Sequence, residues 1–432
     1  MRVLVTGAYG LIGAACLARL NRDGHELVAA GRTITEASRR ASFARWIVAD
    51  FDRLTDAVAW RPLLAGIDAV VNCVGVLQDG GRDDTRRVHV AATCALFDAC
   101  AQAGVRRVIQ ISAIGAASDG PTAFARTKAE ADAHLATLDL DWLVLRPALV
   151  LAPVAYGGTA MLRGIAASPG IVPVIGASQR IQVVSIDDVA ETVARALHPD
   201  TRLRTTWDVA HPDVHTLGEI VQAIRLWLGF PPRPKLALPP IVGRGVAIMA
   251  DALGRLGWRS PARSTALAQL TAGVVGDPAA WMEATGIKPQ SLAEFLAAHP
   301  AGVQERWFAR LYLLKPLAIA ALALFWIVTG LISLGPGRAA ALAQFRDAAV
   351  APAMAEPSLI LGSLADIALG LLLLVRRTAR MALLGMTAVS LAYLLIGTVL
   401  APDLWRDPLG PLVKIVPVLL ASAFTLAILD ER

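Results

Sequence analysis

Arg2-Val3-Leu4-Val5-Thr6-Gly7-Ala8-Tyr9-Gly10-Leu11-Ile12-Gly13 opens the chain and decides the reading of its fold. The first five residues are a short, largely apolar run of the kind that fills a buried strand. Three glycines at three-residue spacing follow, and an amphipathic helical pattern then continues to about Leu20. Between a strand and a helix, such glycines permit a tight turn and let backbone approach a pyrophosphate. The helix N-terminus adds unpaired N–H groups that favour an anion. Gly7, Tyr9, Gly10, Leu11, Ile12 and Gly13 are therefore the first candidate binding residues.

Outward from this loop the alternation persists. Strand-like runs at 26–30, 46–49, 69–74, 107–111 and 142–145 are separated by helical patterns, notably 91–103 and 123–138. This rhythm predicts an α/β fold, a doubly wound Rossmann-type parallel sheet over 1–150, followed by a small substrate lobe and linker over 151–300. At the end of the second strand an NAD site usually places a carboxylate for the ribose 2′-OH. Here the sequence reads Ala29-Ala30-Gly31-Arg32-Thr33. Arg32 suits a 2′-phosphate, so NADP(H) is expected in preference to NAD(H). Farther on, Ser185-Ile186-Asp187-Asp188 marks a helix start, with Asp187 as the expected cap. Five prolines between Pro231 and Pro240 mark a linker, and residues 241–258 form an amphipathic helix suited either to a membrane surface or to the lobe.

The chain has 432 residues, of which 55% are hydrophobic and 18% charged, with net charge +6. Soluble domains average ~25% charged residues, and the apolar excess here falls after Lys315, which excludes a simple cytosolic enzyme. No basic stripe with interleaved aromatics is present, so nucleic acid is not an expected partner. Cys16, Cys73, Cys94 and Cys100 lack metal-ligand spacing, and no metal site is expected. Apolar stretches at 316–335, 357–375, 381–401 and 409–429 each approach the ~20 residues that a helix needs to cross a bilayer. They predict a four-helix transmembrane bundle over 301–432. Arg306, Arg310, Lys315, Arg376, Arg377, Arg380 and Arg432 would share one side, against Arg338, Arg346 and Arg406 on the other. The positive-inside rule and the strand-like N-terminus, which is no signal peptide, place both termini in the cytoplasm and the protein in the cytoplasmic membrane. Asp366 lies within a span and needs a partner, for which Lys414 is the candidate.

Three further segments complete a resemblance: Asn72-Cys73-Val74-Gly75 after the fourth strand, Ile111-Ser112 after the fifth and Leu145-Arg146-Pro147 after the sixth. With the glycine loop, Ala49-Asp50 and Lys128, they make the first 230 residues similar to the atypical NAD(P)-binding short-chain dehydrogenase/reductases. The similarity is to the NmrA-like and complex I accessory-subunit branch of the epimerase/dehydratase superfamily. The resemblance implies that Asp50, with Phe51 beside it, meets the adenine. It implies that Gly75, after Val74, lets the backbone approach the ribose, and that Lys128 holds the nicotinamide ribose. Pro147 to Val150 would flank the carboxamide, and Ser112 with Lys128 would be the catalytic pair. Without the resemblance, Asp50 reads as a helix cap, Ser112 as a strand-end turn residue and Lys128 as a surface charge.

The family's Tyr-x-x-x-Lys departs here to Phe124-Ala125-Arg126-Thr127-Lys128. Tyr9 and Tyr156 are the only tyrosines outside the membrane region and lack the motif's spacing, while His89 stands as an alternative proton source. The tail, with Leu364-Ala365-Asp366-Ile367-Ala368-Leu369-Gly370 and residues 402–414, resembles the DoxX-like membrane proteins. Together these readings imply an oxidoreductase that passes hydride to a membrane-soluble quinone or lipid. The alternatives are a catalytically silent NADP(H)-binding assembly or redox-sensing protein and, third, an epimerase/dehydratase-type enzyme, which Phe124 counts against.

Overall fold

The computed structural model describes residues 1–80 and 83–430; Arg432, counted above among the basic residues, lies outside them. The described residues divide into two compact units, 1–251 with 260–306, and 252–259 with 307–430.

The first unit is built on seven strands: β1 (Arg2–Thr6), β2 (Glu26–Gly31), β3 (Arg45–Val48), β4 (Ala69–Asn72), β5 (Arg107–Ile111), β6 (Asp141–Pro147) and β7 (Thr205–Val209). Their order is β3-β2-β1-β4-β5-β6-β7, and every pairing is parallel. Chain direction reverses its progress across the sheet between β1 and β4, which opens a crevice at their C-terminal ends. Side chains alternate across the sheet as the pleat requires. Val3 and Val5 join Cys16, Leu17 and Leu20 of α1 (Leu11–Arg22) in one core layer. Leu4 joins Trp60, Phe97 and Leu135 in the other. Phe97 and Leu135 come from α2 (Thr93–Ala103) and α3 (Ala123–Thr137), and a π-helical turn, Arg87–Ala92, leads into α2.

Two local expectations change. Ser185, not Asp187, caps its helix, its hydroxyl accepting from the Asp187 N–H at 3.1 Å. The proline-rich linker contains a strand, Lys235–Leu238, which pairs in parallel with Val172–Ile175 because Lys235 to Leu238 is a proline-free window. The helix that follows, α4 (Pro240–Arg255), buries Gly243, Ala247 and Ala250.

The second unit holds three helices long and apolar enough to cross a membrane: α5 (Val303–Leu334), α6 (Pro352–Leu374) and α7 (Ala379–Leu400). The fourth, α8 (Ile415–Ala427), has 13 residues. Pro408, Pro411 and Gly410, which is at φ +59°, keep the chain non-helical up to that point. Lys315 Nζ donates to the Leu429 carbonyl at 2.8 Å, and Arg376 pairs with Asp430 at 2.8 Å. The start of the apolar part of α5, the α6–α7 loop and the end of α8 thus share one end of the bundle.

The Asp366–Lys414 pair is not formed. Lys414 stands exposed in the turn ahead of α8, whereas Asp366 is buried and accepts from the Tyr393 hydroxyl of α7 at 3.2 Å. Close approach of α5 and α6 leaves no room for side chains on their contact line. A Cβ on Gly330 would lie 2.5 Å from the Ser363 carbonyl, and one on Gly370 2.8 Å from that of Ala323.

Candidate functional site

Because the sheet is parallel, the segments singled out from the sequence all emerge at one edge: the glycine loop after β1, Arg32 after β2, Asp50 after β3, Cys73 to Gly75 after β4, Ser112 after β5 and Pro147 at the end of β6. Gly7 has φ +63°, and a Cβ there would meet the Cys73 carbonyl at 2.9 Å. A Cβ on Gly13 would lie 2.4 Å from the Gly7 carbonyl. The glycines therefore bring α1 directly onto the turn. Gly10 caps α1 without a side-chain hydrogen bond, and the first turn carries no acidic residue. Its N–H groups are left to an anion, so the residues present fit a dinucleotide phosphate.

Tyr9 lays its ring over Gly31, where a Cβ would stand 2.4 Å from it. The tyrosine thus belongs to the β2 end of the crevice. Beside it Arg32 donates to Asp83 at 2.9 Å and lies 3.9 Å from Asp52. Asp50 is half-buried and accepts from the Asp52 N–H at 3.3 Å. Phe51 points the other way: its side chain is buried edge-on against Trp60, so only its backbone is available to the crevice. Pro147 is buried, and Val150 packs against the core beyond it.

Lys128 is 4% exposed, which removes the surface-charge reading. Its Nζ donates to the carbonyls of Ile111 at 2.8 Å and Val74 at 3.2 Å, at the ends of β5 and β4. It lies 3.3 Å from where a Gly75 Cβ would be. Burial depresses its pKa to about 8 against the pull of Asp132 one turn along α3. Ser112 donates to the buried Asp132 at 2.6 Å, and burial raises the Asp132 carboxyl despite that bond and the nearby Lys128 and Arg146.

His89 has both ring nitrogens engaged. Its Nε2 accepts from the Val76 N–H at 3.0 Å, and its Nδ1 meets the Thr127 hydroxyl at 2.9 Å, which itself donates to the Ala123 carbonyl. That pattern assigns the proton to Nδ1 and occupies both nitrogens. Burial and the Lys128 charge push the imidazole pKa down to about 2. Phe124 sits edge-on to His89 at 5.5 Å. Tyr156 is exposed at the start of the helix Gly157–Ala166.

Sequence reasoning missed a buried polar ladder beneath the site. Thr6 donates to Asn72 at 2.5 Å, and Asn72 to Gln110 at 2.7 Å, tying together the ends of β1, β4 and β5. A polar residue at the last or penultimate position of each central strand was the available signal. Beyond β5, Ile114, Gly115, Ser178, Gln179, Arg180 and Val275 line a cavity of about 490 Å³. No cluster of metal-ligating side chains occurs among the described residues.

Comparison with known proteins follows the same division. Residues 7–200 match the NAD(P)H-binding family and residues 323–423 the DoxX-like family. The chain is 28% identical over 335 residues to "Sterol demethylase protein B" of Methylococcus capsulatus, covering 71% of this chain and 99% of that protein. It is 25% identical to the mitochondrial "NADH dehydrogenase [ubiquinone] 1 alpha subcomplex subunit 9" of Arabidopsis thaliana, over 54% of this chain and 62% of that one. In fold it is similar to the Bordetella bronchiseptica enzyme WbmG in complex with NAD, with TM-score 0.54, 19% identity, and coverage of 72% and 96%. The chain thus joins a segment that matches an NAD(P)H-binding family to a segment that matches the DoxX-like family.

Proposed function

We propose that the protein is a membrane-held NAD(P)H-dependent oxidoreductase whose acceptor is dissolved in the bilayer, a quinone or a lipid. The observation that carries this reading is the joining, in one chain, of a glycine-cradled dinucleotide site to helices long enough to span a membrane. Attachment confines the site to the layer in which such an acceptor is concentrated. When bound, the nicotinamide supplies the hydride. The backbone from Gly7 to Gly13 would hold the pyrophosphate and Asp50 the adenine. Arg32 would hold a 2′-phosphate, which favours NADP(H), and Lys128 the nicotinamide ribose. Pro147 to Val150 would flank the ring's carboxamide.

Phe124 and the neutral His89 limit the chemistry that these residues can perform. Reduction of an isolated ketone needs an acid placed at its oxygen. A quinone takes one hydride and one proton, and hydride addition leaves a stabilised phenolate that can take its proton from solvent afterwards, with no acid placed at its oxygen. The arginine-rich end of the bundle is assigned to the cytoplasm by the positive-inside rule, with the dinucleotide domain on that side of the cytoplasmic membrane.

The test is NADPH oxidation by purified full-length protein with a short-chain quinone. The name of the Methylococcus capsulatus relative makes a sterol the lipid to try beside it. Oxidation above the protein-free rate is expected. Binding of NADPH without oxidation across both acceptors would overturn this reading and favour a silent, cofactor-sensing role. The observation that favours this second reading is the Ser112 hydroxyl, held by Asp132.

A further inference from the structure

The helix α4 has two faces of unequal fate. Gly243, Ala247 and Ala250 form its buried seam, close enough to the lobe that a Cβ on Gly243 would meet Ile175 at 2.8 Å. On the side away from that seam, Ile241 is 71% exposed, Ile248 69% and Met249 59%, and Val242, Leu253 and Leu256 are also exposed. At 3.6 residues per turn these six cover an arc of roughly 140° that contains no polar side chain. Exposed Arg244 and Arg255 border it on one flank.

The chain just past α4 belongs to the second unit. Leu256 accepts at its carbonyl from the Arg376 N–H at 3.0 Å, and Trp258 Nε1 donates to the Leu374 carbonyl at 2.7 Å. The Arg376 guanidinium lies 5.7 Å from the Trp258 ring centroid. Leu374 is the last residue of α6, and Arg376, Arg377 and Arg380 follow it. Residues 252–259, which include the last turn of α4, therefore pack with the end of α6 inside the second unit.

We propose that the outward face of α4 is a membrane-interface surface. Ile241, Ile248 and Met249 enter the acyl boundary, and Arg244 and Arg255 meet anionic headgroups. The occupant is lipid because a broad apolar face with a basic flank complements an anionic leaflet. The inference stands independently of which nucleotide or acceptor the domain uses.

The test uses the full-length chain, one copy per lipid nanodisc containing anionic lipid. A fluorophore is placed on Ile248→Cys, on Met249→Cys, and on Arg53→Cys as the reference, since the Arg53 side chain is 87% exposed on the first unit. Unmutated chain labelled in parallel gives the background of the four native thiols. Quenching by a nitroxide carried on the lipid acyl chain is expected to be about threefold or more stronger at 248 and 249 than at 53, with aqueous iodide showing the reverse order. Iodide quenching at 248 and 249 equal to that at 53 would overturn the proposal. So would protection from both quenchers, which would mean that protein covers the face. The two label positions guard against one variant failing to fold.

Discussion

Lys128 carries the clearest residue-scale consequence. Its pKa falls from 10.5 to about 8 because its ammonium is buried. The unfolded chain then binds that proton more tightly than the folded one between pH 8 and 10.5. The burial penalty is complete below pH 8, and stability from this group rises with pH across that window, by on the order of 3 kcal/mol. Denaturant unfolding of the parent should show the rise, and Lys128→Met should lose it. Arg32 and Asp83 make a second pair of outcomes. In the proposed NADP(H) site, a 2′-phosphate would share Arg32 with the Asp83 carboxylate. Arg32→Ala should therefore bring the NADPH and NADH dissociation constants together, and Asp83→Asn should tighten NADPH by about three- to tenfold while leaving NADH nearly unchanged. Calorimetric titration of both nucleotides checks both. Equal shifts for the two nucleotides would remove the 2′-phosphate from Arg32.

At the scale of elements, the approach of α1 to its turn leaves no space at Gly13. Gly13→Ala should lower stability by about 1–3 kcal/mol and weaken nucleotide binding at least about tenfold, as α1 is displaced from the loop. Thermal unfolding and titration read the two effects separately. In the membrane unit, Asp366→Asn and Tyr393→Phe should be non-additive in detergent unfolding by about 0.5–1.5 kcal/mol. Asp366→Asn with Lys414→Ala should be additive. The elements themselves were readable where the signal is local. The glycine spacing, the apolar runs and the capping serine-aspartate segment all lie within a few residues of what they shape. Three features were not, because their causes are distant in sequence. Lys235 to Leu238 becomes a strand only because Val172 to Ile175 offers an edge. Asp366 finds Tyr393, 27 residues away, when α6 and α7 pack. The π-helical turn that turns His89 inward has no compositional mark. Lys128 stood out in the sequence as a candidate but not as a buried residue, since its neighbours along α3 are mixed in polarity.

For the whole molecule, attachment to the bilayer changes which concentration governs turnover. If the acceptor is drawn from the membrane, NADPH oxidation in proteoliposomes should follow the mole fraction of a long-tailed quinone in the lipid. Adding empty, quinone-free vesicles at fixed bulk quinone should slow the rate only as the quinone redistributes. A rate that tracks bulk quinone regardless of lipid would place the acceptor site in water. The placement of His89 has one more consequence at this scale. An imidazole is the group through which proteins ordinarily register mild acidification, yet this one is bonded at both nitrogens and stays neutral to about pH 2. Below its ordinary value of 6.5 the unfolded chain gains a proton that the folded chain refuses, so the stability it contributes drains away as pH falls. Mild acid would therefore not adjust the crevice by degrees through this residue; it would weaken the dinucleotide domain as a whole.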